Sequence, residues 1–418
     1  MSGDVAVVVV GAGPAGLSAA RELRRLGVGS VLVADREAAA GGVPRHSAHT
    51  GYGLRDRHRV MTGPSYARAL TGAARAAGAQ VRPGTTVTGL AGGPDGSRLV
   101  TLTSAAGIET VRAAAVLLAT GCRERPRAAR LVPGDRPAGV MTTGELQQRV
   151  YLGGERLAGR ALVIGAEHVS FSAAVTLEHA GADVVALVTE HERQQSYAAF
   201  RLGAAIRWRI PVWTSCAVTR ITGRGRLQGV EVTDGRTGAV RFVPCETAVF
   251  TGDWIPDHEL ARRAGLALDP GTRGPAVDTA LATSVPGVFA AGNLVHAAET
   301  ADIAALSGRH AARQIATFLT GGVLGRDRVP VLAEPPLRWI SPNLIGSAAP
   351  PLGRFVLRSR EFRRGARLEA WQDGRLLARS RPVRLIPERT AQLDAGWLDQ
   401  VEQAGGPVRV VTGSRSGH

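Results

Sequence analysis

The stretch that decides the fold is residues 5–16, VAVVVVGAGPAG, in which an apolar run leads directly into a glycine-rich turn. The apolar run, Val5–Val10, predicts a buried strand, and the apolar-periodic segment after the turn predicts a helix. Gly27 ends that helix, because glycine readily adopts the left-handed backbone that closes a helix. A second strand, Ser30–Ala34, then ends at Asp35. The pattern predicts a strand–turn–helix–strand unit of the dinucleotide-binding type.

Each glycine of this turn has a physical role in such a unit. Gly11 permits the tight turn, Gly13 lets the backbone approach a pyrophosphate, and Gly16 lets helix and sheet pack closely. The helix N-terminus presents unpaired N–H groups and a positive dipole end to the phosphates. Asp35 follows Gly13 by about 20 residues, where a carboxylate can accept both ribose hydroxyls of an adenosine. An ordinary strand–helix unit with a tight turn would leave Asp35 unexplained, so we predict a bound dinucleotide.

A second contact region favours FAD over NAD. Residues 283–293, TSVPGVFAAGN, resemble the distal FAD motif of the two-dinucleotide-binding, glutathione-reductase-like flavoproteins. In that class the strand end and its acidic residue reach the ribityl chain and pyrophosphate of an extended FAD. Here Asn293 replaces the acid, and its carbonyl can still accept a hydrogen bond although it brings no charge.

The strand–turn–helix pattern occurs a second time. The strand Arg160–Ile164 leads into residues 165–170, GAEHVS, and a later strand, Asp183–Thr189, ends at Glu190. Where an NAD(P) site needs glycine, this turn has Glu167, whose desolvated charge would oppose two phosphates by roughly several kcal/mol. We therefore predict that the second unit keeps the fold and that NAD(P) binding there is doubtful. The alternative is that Glu167 points away and Glu190 holds a ribose.

The order of these units predicts the domain organisation. We expect a discontinuous FAD-binding domain at residues 1–123 and 285–325, with an inserted NAD(P)-binding-like domain at residues 124–284. Residues 330–418, with Pro-rich connections between alternating segments, predict a small C-terminal, partly β domain. The predicted fold class is α/β, with two Rossmann-like dinucleotide-binding domains, one inserted in the other.

Composition excludes several classes of function. The net charge is +16, but all 51 basic residues are Arg, scattered over the chain, and aromatics are only 4%, so we expect no nucleic-acid binding. The cysteines Cys122, Cys216 and Cys245 form no CxxC pair, which argues against a dithiol or a metal site carried by this chain. Gly11 cuts the first apolar run short, so we expect no signal peptide, no membrane span and a cytoplasmic location.

Residues 41–53, GGVPRHSAHTGYG, contain the candidate catalytic groups. They resemble the segment that runs along FAD toward the flavin ring in the same class. The disulfide reductases carry a cysteine pair there, and this chain has none, so electrons cannot leave through a dithiol relay. His46, His49 and Tyr52 can move protons or hydrogen-bond a flavin, and we predict them as the catalytic residues.

Three further segments extend the resemblance to one family: TGCRERPR at 120–127, VPGDRPAGV at 132–140 and GNLVHAAETADIAALSGR at 292–309. Together with the segments above, they resemble the FAD-containing subunit of heteromeric amine and imino-acid dehydrogenases. That family includes the large subunits of hydrogen cyanide synthase, opine oxidases and dye-linked proline or hydroxyproline dehydrogenases. The resemblance covers about residues 5–320 and implies an FAD-binding set of Gly11, Gly13, Pro14, Ala15, Gly16, Asp35, Arg36, Gly42, Val43, Arg45, Val87, Thr120, Gly121, Gly292, Asn293 and Thr300.

The resemblance also implies a function and partners. In such assemblies a second flavoprotein takes a hydride from the C–H next to nitrogen of a small amine or imino acid. Many members carry a cysteine-rich iron–sulfur region, but residues 330–418 contain no cysteine, so a cluster would come from a separate small subunit. Two alternatives stay open: a self-sufficient NAD(P)H-dependent flavin reductase, and a non-catalytic FAD-bearing assembly subunit. Reduction of the flavin by NADPH would distinguish the first alternative from a subunit that depends on a partner.

Overall fold

The computed structural model describes residues 4–196, 210–322 and 328–413. Its helices are α1 (Pro14–Arg25), α2 (Gly63–Ala76), α3 (Thr143–Gln147), α4 (His168–Ala180), α5 (Glu259–Arg263) and α6 (Ala301–Leu319). The strands of the first part are β1 (Asp4–Val10), β2 (Val31–Ala34), β3 (Thr50–Tyr52), β4 (Met61–Thr62), β5 (Gln80–Arg82), β6 (Thr86–Gly92), β7 (Arg98–Ser104), β8 (Gly107–Leu118) and β9 (Cys122–Glu124).

The remaining strands follow in the same order along the chain. Those of the middle part are β10 (Val140–Thr142), β11 (Arg160–Ile164), β12 (Asp183–Thr189), β13 (Val212–Thr214), β14 (Cys216–Thr222), β15 (Gly229–Asp234), β16 (Val240–Pro244), β17 (Thr247–Phe250), β18 (Trp254–Pro256) and β19 (Val288–Ala290). Those of the C-terminal part are β20 (Val329–Ala333), β21 (Leu337–Ser341), β22 (Leu344–Ile345), β23 (Arg354–Ser359), β24 (Arg363–Gln372), β25 (Arg375–Arg379), β26 (Val383–Leu385), β27 (Thr390–Asp394) and β28 (Val408–Gly413).

The chain divides into two compact units. Unit 1 comprises Met1–Arg45, Thr50–Cys122 and Pro256–His418, and unit 2 comprises His46–His49 and Arg123–Ile255. Unit 2 therefore ends before residue 284, where the sequence places the end of the inserted domain, and the C-terminal region belongs to unit 1. The domain boundaries of the sequence analysis stay a prediction.

Unit 1 is built on a seven-stranded sheet in the order β5-β2-β1-β8-β7-β6, with β19 beside β8. Strands β5, β2, β1, β8 and β19 run parallel, and β1 is fully buried from Val7 to Val9, as expected of a strand covered on both faces. Helices α1 and α6 pack together so closely that a Cβ on Gly308 would overlap the carbonyl oxygen of Ala15. The predicted strand–turn–helix–strand unit is confirmed.

Unit 2 repeats the same arrangement on a smaller scale. Its parallel sheet has the order β10-β17-β11-β12-β13, and α4 connects β11 to β12. Strands β14, β15 and β16 form a separate antiparallel sheet. The duplicated Rossmann-like fold, and with it the predicted α/β class, is confirmed.

The C-terminal region of unit 1 is formed by strands β20 to β28. One sheet has the order β22-β20-β28-β24-β25, with β26 beside β24, and a second sheet has the order β21-β23-β27. The region has its own apolar core, which includes Phe355 and Val408. It is joined to the rest of unit 1 by buried polar contacts: Asn343 Oδ1 accepts a hydrogen bond from the Val277 amide at 2.8 Å, and Arg328 pairs with Asp278 at 3.0 Å.

Candidate functional site

The glycine-rich turn lies between the end of β1 and the start of α1. Gly11 has φ of +105°, and a Cβ on either Gly11 or Gly16 would overlap a backbone carbonyl oxygen. The fold itself therefore requires these two glycines. Gly13 differs, because a Cβ there would meet no described atom within 4 Å. Gly13 is also the N-cap residue of α1, and no described side chain caps that helix, so its first N–H groups are available to a pyrophosphate.

Asp35 lies directly beside this turn. It is 9% exposed, and its Oδ2 accepts a hydrogen bond from the Ala12 amide at 2.5 Å. Its Oδ1 accepts from the Glu37 amide at 2.8 Å. Each carboxylate oxygen has a second lone pair, so two ribose hydroxyls can still be bound. Arg36 pairs with Asp257 at 3.2 Å, and its contact with FAD stays a prediction.

Residues 41–45 return to the same turn. The Gly41 amide donates to the Ala12 carbonyl at 2.8 Å, and a Cβ on Gly42 would lie 2.8 Å from the Gly13 Cα. Val43 is 56% exposed although it is apolar. Arg45 pairs with Glu37 at 3.6 Å, close to Asp35 in the sequence. Gly42, Gly13 and Asp35 are therefore brought together as the sequence analysis requires.

Gly292, Asn293 and Thr300 belong to the segment between β19 and α6. A Cβ on Gly292 would lie 2.8 Å from the Ala15 Cβ, which places this segment beside the start of α1. Asn293 Oδ1 accepts from the Glu299 amide at 2.9 Å, and its Nδ2 donates to the Glu299 carbonyl at 3.1 Å. The Asn293 side chain thus stabilises its own loop through both hydrogen bonds. Its carbonyl oxygen has a second lone pair that can accept a hydrogen bond from a ribityl hydroxyl. Thr300 lies at the N-terminus of α6.

The other predicted FAD contacts lie at neighbouring strand ends. Thr120 Oγ1 donates to the Asp257 carbonyl at 2.8 Å, and the Gly121 carbonyl accepts from the Asp257 amide at 2.8 Å. Val87 lies in β6, and the Thr85 amide just before that strand donates to the Asp35 carbonyl at 2.8 Å. The residues of the first turn fit FAD. Because Gly13 has no side chain, the space beside its Cα stays open, and the pyrophosphate of FAD can lie there.

The three predicted catalytic residues are distributed over the two units. His46 and His49 belong to unit 2, whereas Tyr52 belongs to unit 1. His46 is 5% exposed, and His49 Nε2 is hydrogen-bonded to Ser47 Oγ at 3.0 Å. The Tyr52 ring lies 5.8 Å from the ring of Tyr66. Their catalytic role stays a prediction.

The second glycine-containing turn, between β11 and α4, is closed by its own side chain. Glu167 is 7% exposed, and its Oε2 accepts from the Val169 amide at 2.6 Å. Ser170 Oγ donates to Glu167 Oε1 at 3.1 Å and accepts from the Glu167 amide at 3.2 Å, which completes a capping box. The carboxylate therefore occupies the helix N-terminus where a nucleotide phosphate would bind. Glu167 does not point away from the turn, so the structure does not support that alternative.

Further protein groups surround the Glu167 carboxylate. Ser170 Oγ lies 2.6 Å from Thr251 Oγ1, and a Cβ on Gly252 would lie 3.3 Å from Glu167 Cγ. Arg130 donates to the carbonyls of Thr251 and Gly252 at 2.8 and 2.9 Å. Burial lowers the pKa of Arg130 and raises that of the nearby Glu124. In parallel sheets of this type, ligands bind at the carboxyl ends of the strands. In unit 2 the charged side chains of Glu167, Arg130 and Glu124 lie at that edge of the sheet.

Sequence reasoning missed a buried network at the start of α6. Asp302 Oδ2 accepts from the Arg55 amide at 3.1 Å. Asp56 Oδ2 accepts from the Tyr66 hydroxyl at 2.9 Å and lies 3.6 Å from Arg309. Burial raises the pKa of both Asp56 and Tyr66. No spacing in the sequence signals this network, because its members come from three separate segments.

His296 lies in the loop that Asn293 braces. Its ring lies 5.3 Å from the Trp339 ring, and burial together with the positive charge of Arg358 lowers the pKa of His296 to about 3. An unfolded histidine titrates near 6.5, so between these two values the unfolded chain binds a proton that the folded chain does not. The stability contributed by neutral His296 is therefore present above pH 6.5 and is lost as the pH falls.

We expect the variant His296→Gln to reduce this pH dependence. Lowering the pH from 7 to 5 should destabilise the wild type more than the variant, by on the order of 1 kcal/mol. Urea unfolding at both pH values measures this difference, and His58→Asn, which changes an exposed histidine, is the control. An equal loss of stability in the wild type and in His296→Gln would contradict the prediction.

Two negative observations apply to the described ranges 4–196, 210–322 and 328–413. No helix within them is long and apolar enough to cross a membrane. Within the same ranges, no group of three or more His, Cys, Asp or Glu side chains is arranged to hold a metal ion.

Residues 5–308 match the family model described as pyridine nucleotide-disulphide oxidoreductase. A ferredoxin–NADP reductase of Salinispora tropica is 31% identical over 309 residues, 70% of this chain and 86% of that protein. The ferredoxin–NAD(+) reductase component of the biphenyl dioxygenase system of Paraburkholderia xenovorans is 32% identical, and the match spans only 43% of each chain. Hydrogen cyanide synthase subunit HcnB of Pseudomonas aeruginosa is 28% identical over 61% of this chain and 53% of its own.

Solved structures show the same fold. Thioredoxin reductase from T. acidophilum superposes with a TM-score of 0.61 at 23% identity, covering 75% of this chain and 98% of that one. The thioredoxin reductase of Lactococcus lactis gives a TM-score of 0.63 at 19% identity, covering 76% and 99%. At these identities the likeness shows the two-domain fold and nothing about the substrate.

Proposed function

The chain belongs to the pyridine nucleotide-disulphide oxidoreductase family and is an FAD-dependent oxidoreductase, and from that premise we propose that it transfers electrons without taking them from NAD(P)H. The observation that carries this proposal is the capping box of Glu167, which fills the phosphate position of the second nucleotide fold. Without a nucleotide there, the flavin must receive its electrons from another donor.

We propose that this donor is a second flavoprotein subunit that oxidises a small amine, amino acid or imino acid. Support comes from the likeness to hydrogen cyanide synthase subunit HcnB, whose name makes it one part of a larger enzyme. Among the described residues Cys122, Cys216 and Cys245 form no disulfide with one another. A small iron–sulfur subunit would provide the one-electron step between the flavins.

The chain's own residues would serve mainly to hold and orient FAD, which supplies the redox chemistry when bound. The backbone at Gly13 and the first turn of α1 would bind the pyrophosphate, and Asp35 would bind the adenosine ribose. Asn293 would orient the ribityl chain. His46, His49 and Tyr52 would hold or move protons near the flavin, as the sequence analysis predicts.

A second candidate function is that of a ferredoxin–NAD(P) reductase. It is favoured by the Salinispora tropica relative, of which this chain covers 86%. This candidate requires NAD(P)H to displace the Glu167 carboxylate from the N-terminus of α4, and so to break the hydrogen bonds to Val169 and Ser170.

Anaerobic reduction of the FAD-loaded chain distinguishes the two functions. We expect NADH and NADPH to leave the flavin absorbance almost unchanged, whereas photoreduction should bleach it fully and show that the flavin is competent. Prompt bleaching by one equivalent of NADPH would overturn the proposal and establish the reductase. Addition of the partner subunits and an amine substrate should then restore enzymatic reduction.

A further inference from the structure

The C-terminal β region contacts the FAD-binding segment through one row of side chains on the sheet β21-β23-β27. Trp339 on β21 lies opposite Arg358 on β23, and Arg358 lies opposite Thr390 on β27. Cross-strand partners project from the same face of a sheet, so these three residues form one row, which we call the cross-sheet row. Both the row and the loop between β19 and α6 belong to unit 1. The row contacts residues 296–299 of that loop.

Arg358, at the centre of the cross-sheet row, contacts two successive carbonyl groups of the loop. Its side chain is buried, and its Nη1 donates to the Ala297 carbonyl at 2.8 Å while its Nη2 donates to the Ala298 carbonyl at 3.2 Å. Nη1 also donates to Glu388 Oε2 at 3.2 Å, which gives the buried positive charge a carboxylate partner. Because the guanidinium is planar and rigid, its two amino groups hold both carbonyls in fixed positions.

The two ends of the row contact the residues on either side of these carbonyls. The Trp339 ring lies 5.3 Å from the ring of His296. At the other end, Thr390 Oγ1 donates a hydrogen bond to Glu299 Oε1. Four consecutive loop residues are therefore held in order by three residues of one sheet.

Apolar packing between the loop and the C-terminal β region is incomplete. A cavity of about 50 Å³ lies between α6 and this region, and His296, Glu299 and Val356 are among the residues that line it. Atoms beside a void lose van der Waals contacts on one side. The loop therefore depends on the hydrogen bonds from Arg358 and Thr390 for its conformation.

Glu299 connects the cross-sheet row to the FAD contact proposed for Asn293. The Glu299 amide donates to Asn293 Oδ1 at 2.9 Å, and the Glu299 carbonyl accepts from Asn293 Nδ2 at 3.1 Å. The orientation of the Asn293 carbonyl oxygen thus follows from where the backbone of Glu299 lies. A loop that is already held in its binding conformation binds its ligand more tightly, because less conformational entropy is lost on binding.

We propose that the C-terminal β region positions the FAD-binding loop, and that Arg358 and Thr390 are positioning residues that act on FAD through Asn293. This inference rests on the contact between FAD and Asn293 that forms part of the proposed function. It is independent of which donor reduces the flavin, so the outcome of the NADPH experiment does not affect it.

Titration of the full-length apoprotein with FAD, followed by flavin fluorescence, tests the inference. Thr390→Val removes the hydroxyl group and keeps the branched shape, and Arg358→Met removes the guanidinium. We expect each variant to weaken FAD binding by at least about fivefold, because each loses a charge-assisted hydrogen bond to the loop. Arg358→Lys should recover part of the loss, since its ammonium can still donate to a loop carbonyl.

Two control variants remove the same groups elsewhere in the C-terminal β region. Thr412→Val changes β28 and Arg379→Met changes β25, and neither residue belongs to the cross-sheet row. Both should bind FAD as the wild type does. Apoprotein melting shows whether each variant is folded, and should Arg358→Met fail to fold, Thr390→Val decides the test.

A double variant separates positioning through Asn293 from a general structural role. Asn293→Ala alone should weaken FAD binding, and adding Thr390→Val to it should change the affinity by less than about twofold, because the group through which Thr390 acts is gone. A further loss as large as in the wild-type background would overturn the inference, and so would equal affinity in Thr390→Val and the wild type. Normal FAD binding by Asn293→Ala would overturn the contact at Asn293 and, with it, this inference.

Discussion

Gly13→Ala is expected to leave the fold of the protein intact and to weaken FAD binding by at least about 100-fold. The new Cβ would meet no described protein atom within 4 Å, and Gly13 has φ of −82°, which alanine adopts without strain. The methyl group would instead project into the space proposed for the pyrophosphate. Losing one or two charge-assisted hydrogen bonds to the phosphates costs about 3 kcal/mol, which corresponds to the stated loss of affinity.

The measurement is FAD affinity by fluorescence titration of the apoprotein, with apoprotein melting as the test of folding. Gly72→Ala is the matched control, since a Cβ on this α2 glycine also meets no described atom, and it should retain normal FAD affinity. Gly16→Ala provides the contrast, because its Cβ would overlap the Gly11 carbonyl and the fold itself should be lost. FAD bound normally by a folded Gly13→Ala protein would rule out the proposed position of the pyrophosphate.

Glu167→Gly is expected to give the second nucleotide fold an affinity for NAD(P)H that the wild type lacks. Removing the side chain frees the Val169 amide and removes a negative charge from the N-terminus of α4. The substitution also places glycine at the position where the backbone of a nucleotide-binding turn approaches the pyrophosphate. We expect at least about a tenfold gain in NADPH affinity and, because glycine is itself an acceptable N-cap, a loss of stability below about 1 kcal/mol.

Nucleotide fluorescence on titration with the protein measures this gain. Glu167→Gln keeps the size of the side chain without its charge and should show a smaller gain in NADPH affinity. The comparison separates charge repulsion of the phosphates from steric exclusion by the side chain. Glu231→Gln changes a carboxylate on β15 and should show none. If folded Glu167→Gly binds NADPH no better than the wild type, then the capping box is not what excludes the nucleotide.

Much of the first nucleotide fold was predictable from local sequence. The run Val5–Val10, the turn glycines and Asp35 lie within about 30 residues, and their spacing follows from the geometry of one strand–turn–helix unit. The prediction that Glu167 opposes NAD(P) binding also came from local sequence, because Glu167 stands at the position of the second turn where an NAD(P) site needs glycine. The structure added how this carboxylate is held: Ser170 donates to it, and Ser170 is itself hydrogen-bonded to Thr251, which lies 81 residues away in the chain.

The buried polar groups could not be predicted in the same way. Asp56, Tyr66 and Arg309 form one network, and His296 and Glu299 line a cavity with Arg354 and Gln392. Each group is unremarkable within its own segment, and the sequence analysis assigned none of them a role. His46 and His49 illustrate the opposite case, since their place in the chain suggests a role that the described contacts do not test.

The sequence alone determined the α/β class, the duplicated fold, the FAD family and the presence of a carboxylate in the second turn. These properties depend on residues close together in the chain, where periodicity and turn chemistry act directly. Only the tertiary structure decided that Glu167 caps its own helix, that Asn293 holds its own loop through two hydrogen bonds to Glu299, and that a cavity lies between α6 and the C-terminal β region. These properties depend on side chains brought together by folding over long separations, which local pattern does not encode.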